Sequence, residues 1–339
     1  LCSNVFLNKG GKMNIKKIFL YFVAILSFIS FGTIANAGDY PDRPISVMVA
    51  YNPGGATDFQ ARLVTMMAAH PKKDYLGQPI VIVNKPGAGG KVGWNWFASK
   101  ARNDGYELAA YNVPHFISQS IVFDDTKYNI DNLEPIANWG ADPAVLIVGP
   151  DSQFNSVADL LKFAKANPGK VTFSGAGKFV GHHIAFLQFQ KASGAKLTYV
   201  PHTGGVPALA AVKGGQVMAG FNNLSDAYRS QKDIKILAIA DVQRETTFLP
   251  NVPTLREEGV DVDNSSVNFR GIMAPKGTDP KIIEYLAAKV PLMFNDKKTL
   301  KQMKKGGSPI RIMNRAEVQA MWKERKAYLT KLLAGLKAE

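Results

Sequence analysis

The residues best placed to do chemistry in this chain are backbone groups rather than side chains. Three glycine-rich loops, 52–58, 86–93 and 174–183, each follow an apolar run and precede a stretch of helical periodicity. At such a junction, free N–H groups and the positive end of a helix dipole converge, which suits a carboxylate or a phosphate. Glycine lets the anion approach the backbone closely. Neither nucleotide signature fits the spacing. Gly87-Ala88-Gly89 would need its third glycine where Val92 stands. Gly175-Ala176-Gly177-Lys178 would need a glycine at Thr172 and a hydroxyl residue at Phe179.

The side chains offer little catalysis. His182 and His183 are neighbours, so on a helix they point about 100° apart and cannot share a metal as an i, i+4 pair would. His70 reads as packing at the end of an amphipathic helix. Ser174 lacks the glycine two residues earlier that a nucleophile elbow requires, and Asp58 with His182 would be an acid–base pair without a nucleophile. No catalytic residue, metal or cofactor is expected.

Holding such loops in place requires alternating strands and helices. Residues 45–51 are a nearly unbroken apolar run, as for a strand buried on both faces of a parallel sheet. Pro53-Gly54-Gly55 ends it. A helix is predicted from near Ala56, with Phe59, Leu63, Met66 or Met67 and His70 on its inner face. Strands at 79–83 and 106–111, with a helix at 93–102, complete a βαβαβ opening. After a crossover near Trp139, a second series reads strand 144–148, helix 157–166, strand 171–174, helix 181–192 and strand 196–200. Helix 207–212 and strands 216–221 and 234–240 follow. Loop-rich sequence at 250–259 leads back to a strand at 268–274 and a helix at 280–294. The last helix opens at Asn314 with Glu317 three residues on, a capping-box spacing. It turns Val318, Met321, Trp322, Leu329, Leu332, Leu333 and Leu336 inward.

The chain has 339 residues, one cysteine and a formal net charge of +14. Met13 is followed by Lys16-Lys17, an apolar run over 18–34 and Ala35-Asn36-Ala37, the order of a secretory signal peptide. Ser27, Ser30, Gly32 and Thr33 interrupt the run, which argues against an anchor. Lys9-Gly10-Gly11 is what a purine-rich ribosome-binding sequence would encode, so Met13 is expected to be the start and 1–37 to be leader. Its loss would remove Cys2 and lower the charge by four lysines (Lys9, Lys12, Lys16 and Lys17). Disulfides, thiol nucleophiles, haem attachment and iron–sulfur ligation are then excluded. The basic surplus suits small anions, and no basic block points to nucleic acid. No later apolar stretch approaches about 18 residues. Roughly 300 residues exceed one comfortable core and fit two lobes with a cleft.

At the glycine loops the sequence resembles a known family. Tyr40-Pro41 with Pro44-Ile45, Pro53-Gly54-Gly55-Ala56-Thr57-Asp58 with Ala61-Arg62, and Leu76-Gly77-Gln78-Pro79 carry the likeness. So do Asn84-Lys85-Pro86-Gly87-Ala88-Gly89-Gly90, Gly204-Gly205-Val206-Pro207-Ala208 and Gly214-Gly215-Gln216-Val217. Pro250-Asn251-Val252-Pro253-Thr254 and Arg270-Gly271 with Ala274-Pro275-Lys276-Gly277-Thr278 complete it, in order over about 40–335. The pattern is similar to that of the Bug-type receptors, the substrate-binding proteins of tripartite tricarboxylate transporters. The resemblance implies an α/β fold of the type II periplasmic binding class, two doubly wound lobes with a ligand cleft at the hinge. Lobe 1 would comprise 38–139 and 252–339, and lobe 2 would comprise 140–251.

Family members grip a ligand carboxylate between the first loop and a lobe 2 loop. That implies Gly54, Gly55, Ala56, Thr57 and Asp58 on one side, and Ser174, Gly175, Ala176 and Gly177 on the other. The sequence departs from the family where Phe179 and Val180 replace Gly-Ser, where Lys178 adds a charge, and where His202 replaces a Tyr. Tyr51, Asn112, His115, Phe179, His202, Asn222 and Asn223 are candidates for reading the far end of the ligand. The expected function is a monomeric periplasmic receptor for a small organic anion, a di- or tricarboxylate or an aromatic acid. It would deliver this anion to large and small membrane transporter subunits. A sensor module presenting its ligand to a membrane kinase, and a secreted hydrolase, are the alternatives.

Overall fold

The computed structural model describes residues 40–334; the segment expected to be a leader and Leu336 lie outside these described residues. Six strands, β1 (Ile45–Val49), β2 (Ile80–Asn84), β3 (Glu107–Val113), β4 (Leu133–Asp142), β10 (Asn268–Pro275) and β11 (Ile310–Met313), form one sheet. Their order is β11-β4-β10-β3-β1-β2. β1 lies parallel to β2 and β3, and β10 runs antiparallel between β3 and β4. The other five, β5 (Ala144–Val148), β6 (Thr172–Gly175), β7 (Thr198–Pro201), β8 (Ala219–Asn223) and β9 (Lys235–Ala240), form a second sheet ordered β7-β6-β8-β5-β9. There β6 is parallel to β7 and β8, while β5 is antiparallel to β8 and β9.

The second sheet shows why its strands are apolar throughout. Along β5, Ala144, Leu146 and Val148 enter one cluster with Phe173, Phe186, Phe189 and Phe221. Val145 and Ile147 enter the opposite cluster with Leu209, Val212, Leu224 and Ile239. A strand covered by helices on both faces alternates between two cores, so no polar face appears in its sequence. In the first sheet the core is aromatic. Trp322 packs edge-on to Tyr111 and Phe116, with ring centroids 5.2 and 4.8 Å apart.

Helices α1 (Ala56–Thr65), α2 (Lys91–Lys100), α3 (His115–Val122), α4 (Val157–Ala166), α5 (Gly181–Ser193), α6 (Gly205–Lys213), α7 (Leu224–Arg229), α8 (Pro280–Phe294), α9 (Lys297–Lys305) and α10 (Arg315–Ala334) cover the sheets. The expected bounds of α4, α8 and β5 agree with the structure. The crossover expected near Trp139 falls at Pro143, between β4 and β5; Trp139 itself is buried inside β4, its Nε1 donating to Gln60 Oε1 at 3.0 Å. The expected inner face of α1 also changes. Phe59 and Leu63 are only half-buried, and the helix ends at Thr65, before Met67 and His70. Its buried face is Thr57, Asp58, Gln60, Ala61 and Val64, because α1 rests on a polar floor rather than an oily core. The strand expected at 216–221 begins at Ala219, after a turn over 214–218. In α10, Leu332 is half-buried while Leu329 and Leu333 are buried.

Candidate functional site

Past the end of β1 the chain turns through Tyr51 to Gly55 and enters α1. Gly54 has a φ of +80°, where glycine is unstrained, and its N–H donates to Asp58 Oδ2 at 2.9 Å. Asp58 also accepts from Arg62 Nη2 and from Asn84 Nδ2, both at 2.9 Å. Burial alone would raise the Asp58 pKa. The bonds from Arg62, Gly54 and Asn84 and the Arg62 charge outweigh it and hold the carboxyl below its usual range. Asp58 is thus committed to shaping the loop.

Beside this loop lies a cavity where the two sheets meet. Tyr51, Asn52, Gly55, Ala56 and Thr57 line it from the first sheet's side, with Asn112, His115 and Asn268. Ala176, His182, Gly205, Val206, Asn223 and Asp226 close it from the second. Its walls nearly touch. Of about 350 Å³ between them, about 20 Å³ can take the centre of a water molecule, room for about one.

The floor is a hydrogen-bonded network centred on Arg270, which is fully buried. Its Nε donates to Thr57 Oγ1 at 3.1 Å, Nη1 to Asp142 Oδ2 at 2.6 Å and to Gln60 Oε1 at 3.2 Å, and Nη2 to Asn223 Oδ1 at 2.7 Å. One side chain therefore ties α1, the end of β4 and the end of β8 together. Asn112 Nδ2 donates to Thr57 Oγ1 at 2.9 Å and to Asn268 Oδ1 at 3.1 Å.

The wall itself keeps unspent polar capacity. Asn112 Oδ1, His115 Nδ1 and His182 Nε2 are buried and make no hydrogen bond of good geometry within the protein, the His182 ring lying near the Asn223 side chain. His182 Nδ1 accepts from the Ala176 N–H at 3.2 Å, so in the neutral ring the proton sits on Nε2, as a donor. Burial is the main cause that pulls the His182 pKa down to about 4. It pushes His115 well below its ordinary value too, with His182 and Arg270 adding to the effect. Both rings are neutral near pH 7. The one hydroxyl on α1 that faces the cavity, that of Thr57, accepts from Arg270 and Asn112. The arrangement can bind a polar solute.

Of the residues singled out in the sequence, the cavity gathers Tyr51, Gly55, Ala56, Thr57, Asn112, His115, Ala176 and Asn223. The others sit elsewhere. Gly54 lines an outer crevice with Val206, Asp226 and Arg229. Ser174 donates to Ala208 O at 2.9 Å beneath α6, and Gly175 packs under the Tyr199 ring. Asn222 Nδ2 donates to Gly205 O at 3.0 Å. Gly177, Lys178 and His202 line a separate surface crevice with Lys91 and Phe123. Phe179 lies edge-on to Phe123, with centroids 5.5 Å apart.

Asn52, His182, Gly205, Val206, Asp226 and Asn268 line the cavity without having been singled out as ligands. Gly204-Gly205 makes a fourth glycine-rich loop before a helix, so the same loop signal marks it. For Asp226 and Asn268 no local pattern distinguishes them from ordinary polar residues. Among the described residues no cluster of His, Cys, Asp or Glu could hold a metal ion. No described helix is long and apolar enough to cross a membrane.

Comparison with known proteins places the chain and its fold. The profile of the tripartite tricarboxylate transporter family receptor matches residues 64–332. Protein BugT of Bordetella pertussis is 33% identical over 278 residues, which is 81% of this chain and 83% of BugT. The structure of the periplasmic binding protein BugD superposes with a TM-score of 0.81 at 26% identity, over 88% of this chain and 99% of BugD. MatC from Rhodopseudomonas palustris, solved with bound malate, shares the fold, with a TM-score of 0.77 at 24% identity over 87% of this chain and 100% of MatC. These relatives are solute-binding receptors rather than enzymes. With a family match over most of its length, the chain belongs to the receptors of the tripartite tricarboxylate transporter family.

Proposed function

We propose that the protein captures a small organic carboxylate in the cavity between its two sheets and hands it to a tripartite membrane transporter. The observation that carries this reading is the trio of buried, unpartnered polar atoms, Asn112 Oδ1, His115 Nδ1 and His182 Nε2, around one cavity. A buried polar atom without a partner costs about 1–3 kcal/mol, which a polar solute would recover. The first turn of α1 supplies N–H groups and a positive dipole end for a negative group. With room for about one water, the walls must part to admit an acid and close again around it. Capture is then a shift toward a closed form that the ligand binds more tightly.

The malate held by MatC is consistent with a small acid in this fold. The leader at 13–37 would send the chain to the periplasm, where it would act as a monomer. The lobes follow the expected division of 38–139 with 252–339 and 140–251, adjusted at both joins: 140–142 end β4 of the first sheet, and Leu255, Val260 and Val262 pack in the core of the second. A thermal-shift screen of organic acids on the purified protein tests capture. An acid that raises the melting temperature and binds in calorimetry with one site is the expected result. Co-purification of the liganded receptor with the large and small membrane subunits tests delivery.

A further inference from the structure

One cavity residue carries a formal charge that the family's grip on an anion does not call for. Among the described residues Asp226, at 5% exposure, is the only acidic side chain lining the cavity, and no Lys or Arg lines it. Arg270 lies beneath the lining and spends its charge on Asp142 at 2.6 Å. His115 and His182 are neutral through burial. Asp226 Oδ1 pairs with Arg229, which faces the outer crevice. Its Oδ2 turns inward, accepting from Asn223 Nδ2 at 3.1 Å and, across the cavity, from the Ala56 N–H of α1 at 3.3 Å. The helix terminus that suits a ligand carboxylate is therefore already in contact with a carboxylate of the protein.

Two carboxylates cannot share that terminus without repulsion in a site of low dielectric. The conflict disappears if the ligand brings a donor along with its own carboxylate. The Ala56 N–H then turns to the ligand's carboxylate and Asp226 Oδ2 accepts from the ligand's donor. One long bond is replaced by two charge-assisted ones. Ala56 N and Asp226 Oδ2 are 3.3 Å apart, so the ligand's acceptor and donor must be similarly close. A donor on the carbon that bears the carboxylate meets that demand.

We propose that Asp226 is the specificity-determining residue of the site, selecting acids that carry an amino or hydroxyl group on the carbon next to the carboxylate. The inference rests on the carboxylate-capture reading above. It predicts that an acid with no such donor is repelled by Asp226.

Calorimetry on the full chain with two matched series tests it: aspartate, malate and succinate, then alanine, lactate and propionate. At least one donor-bearing acid should bind tenfold or more tighter than the plain acid of its series. D226A should erase that preference. D226N, which retains an acceptor oxygen but no charge, should erase an amino preference and spare a hydroxyl one, so it distinguishes the two donors. A melting curve establishes that each variant is folded, and D226N decides if D226A is not. Succinate or propionate binding as tightly as the substituted acids, or a preference that survives in the variants, overturns the role of Asp226 and leaves carboxylate capture standing. If none of the six acids binds the wild type, capture of small acids fails and this inference fails with it.

Discussion

Arg270 Nη1 lies 2.6 Å from Asp142 Oδ2 in an ion pair sealed from solvent, with the two side chains 0% and 1% exposed. Through Arg270, strands of both sheets and helix α1 are held to one another. Asp142 also accepts from Gln60 Nε2 at 3.2 Å and from the Ser225 N–H at 3.1 Å.

Removing one partner strands the other. Arg270→Met leaves Asp142 buried without its cation, and a loss of about 3–5 kcal/mol is expected. Urea unfolding measures it. The double variant Arg270→Met, Asp142→Leu should regain part of the loss, because no charge is then left buried.

Acid should weaken the fold through the neutral histidines. His182 has a folded pKa of about 4, chiefly because of burial, against about 6.5 in an unfolded chain. Below the higher value the unfolded state binds a proton that the folded state refuses. The stability contributed is present above about pH 6.5, falls as pH drops toward 4, and does not fall further below that. The slope is about 1.4 kcal/mol per pH unit for one such histidine. His183, also drawn down to about 4 by burial and by Lys178, adds to it. Stability measured across this window should fall more gently in His182→Gln.

Closure should depend on two glycines that touch across the cleft. Gly177 has a φ of +134°, and a Cβ there would sit 2.8 Å from the Gly89 Cα. Gly177→Ala would strain the loop and wedge the lobes apart at that rim. Small-angle scattering should show a larger radius of gyration with ligand present, and affinity should drop tenfold or more.

The α1 loop can be tested without unfolding the protein. A Cβ on Gly55 would meet Val206 Cγ2 at 3.4 Å, so Gly55→Leu pushes into the opposite wall. Asp58→Ala releases Gly54 and Arg62. Both variants should lose affinity for a carboxylate in calorimetry while retaining a cooperative melt.

Much of this was legible in the sequence, for identifiable reasons. The capping box at Asn314 forms as its spacing implies, the Asn314 N–H donating to Glu317 Oε2 at 2.8 Å and the Glu317 N–H to Asn314 Oδ1 at 3.1 Å. Asn314→Ala should cost about 1 kcal/mol in thermal unfolding. Strands buried on both faces announce themselves as apolar runs, which is why β1 and β5 were plain.

What escaped was short structure. α3 has eight residues and follows β3 after Pro114 alone, and α9 buries only Thr299 and Met303 among its lysines. β11 is short and half-exposed. At the cavity, the glycine loop entering α1 marks one wall in the sequence, because backbone geometry is written in local residue types, but of 174–183 only Ala176 and His182 reach it and of 86–93 none does. Asp226 and Asn268 were not legible. They matter because of strands and helices that arrive from more than a hundred residues away, and no local pattern records that.

The place of β10 has a consequence for how the chain matures. It fills the gap between β3 and β4, yet it follows all of β5 to β9 in the chain. A ribosome or export channel delivering the polypeptide from its beginning would release the middle sheet whole, while the outer one waited with two bare edges. The first lobe is therefore the last to close, and a protein truncated before residue 268 would keep one finished half and one open to aggregation.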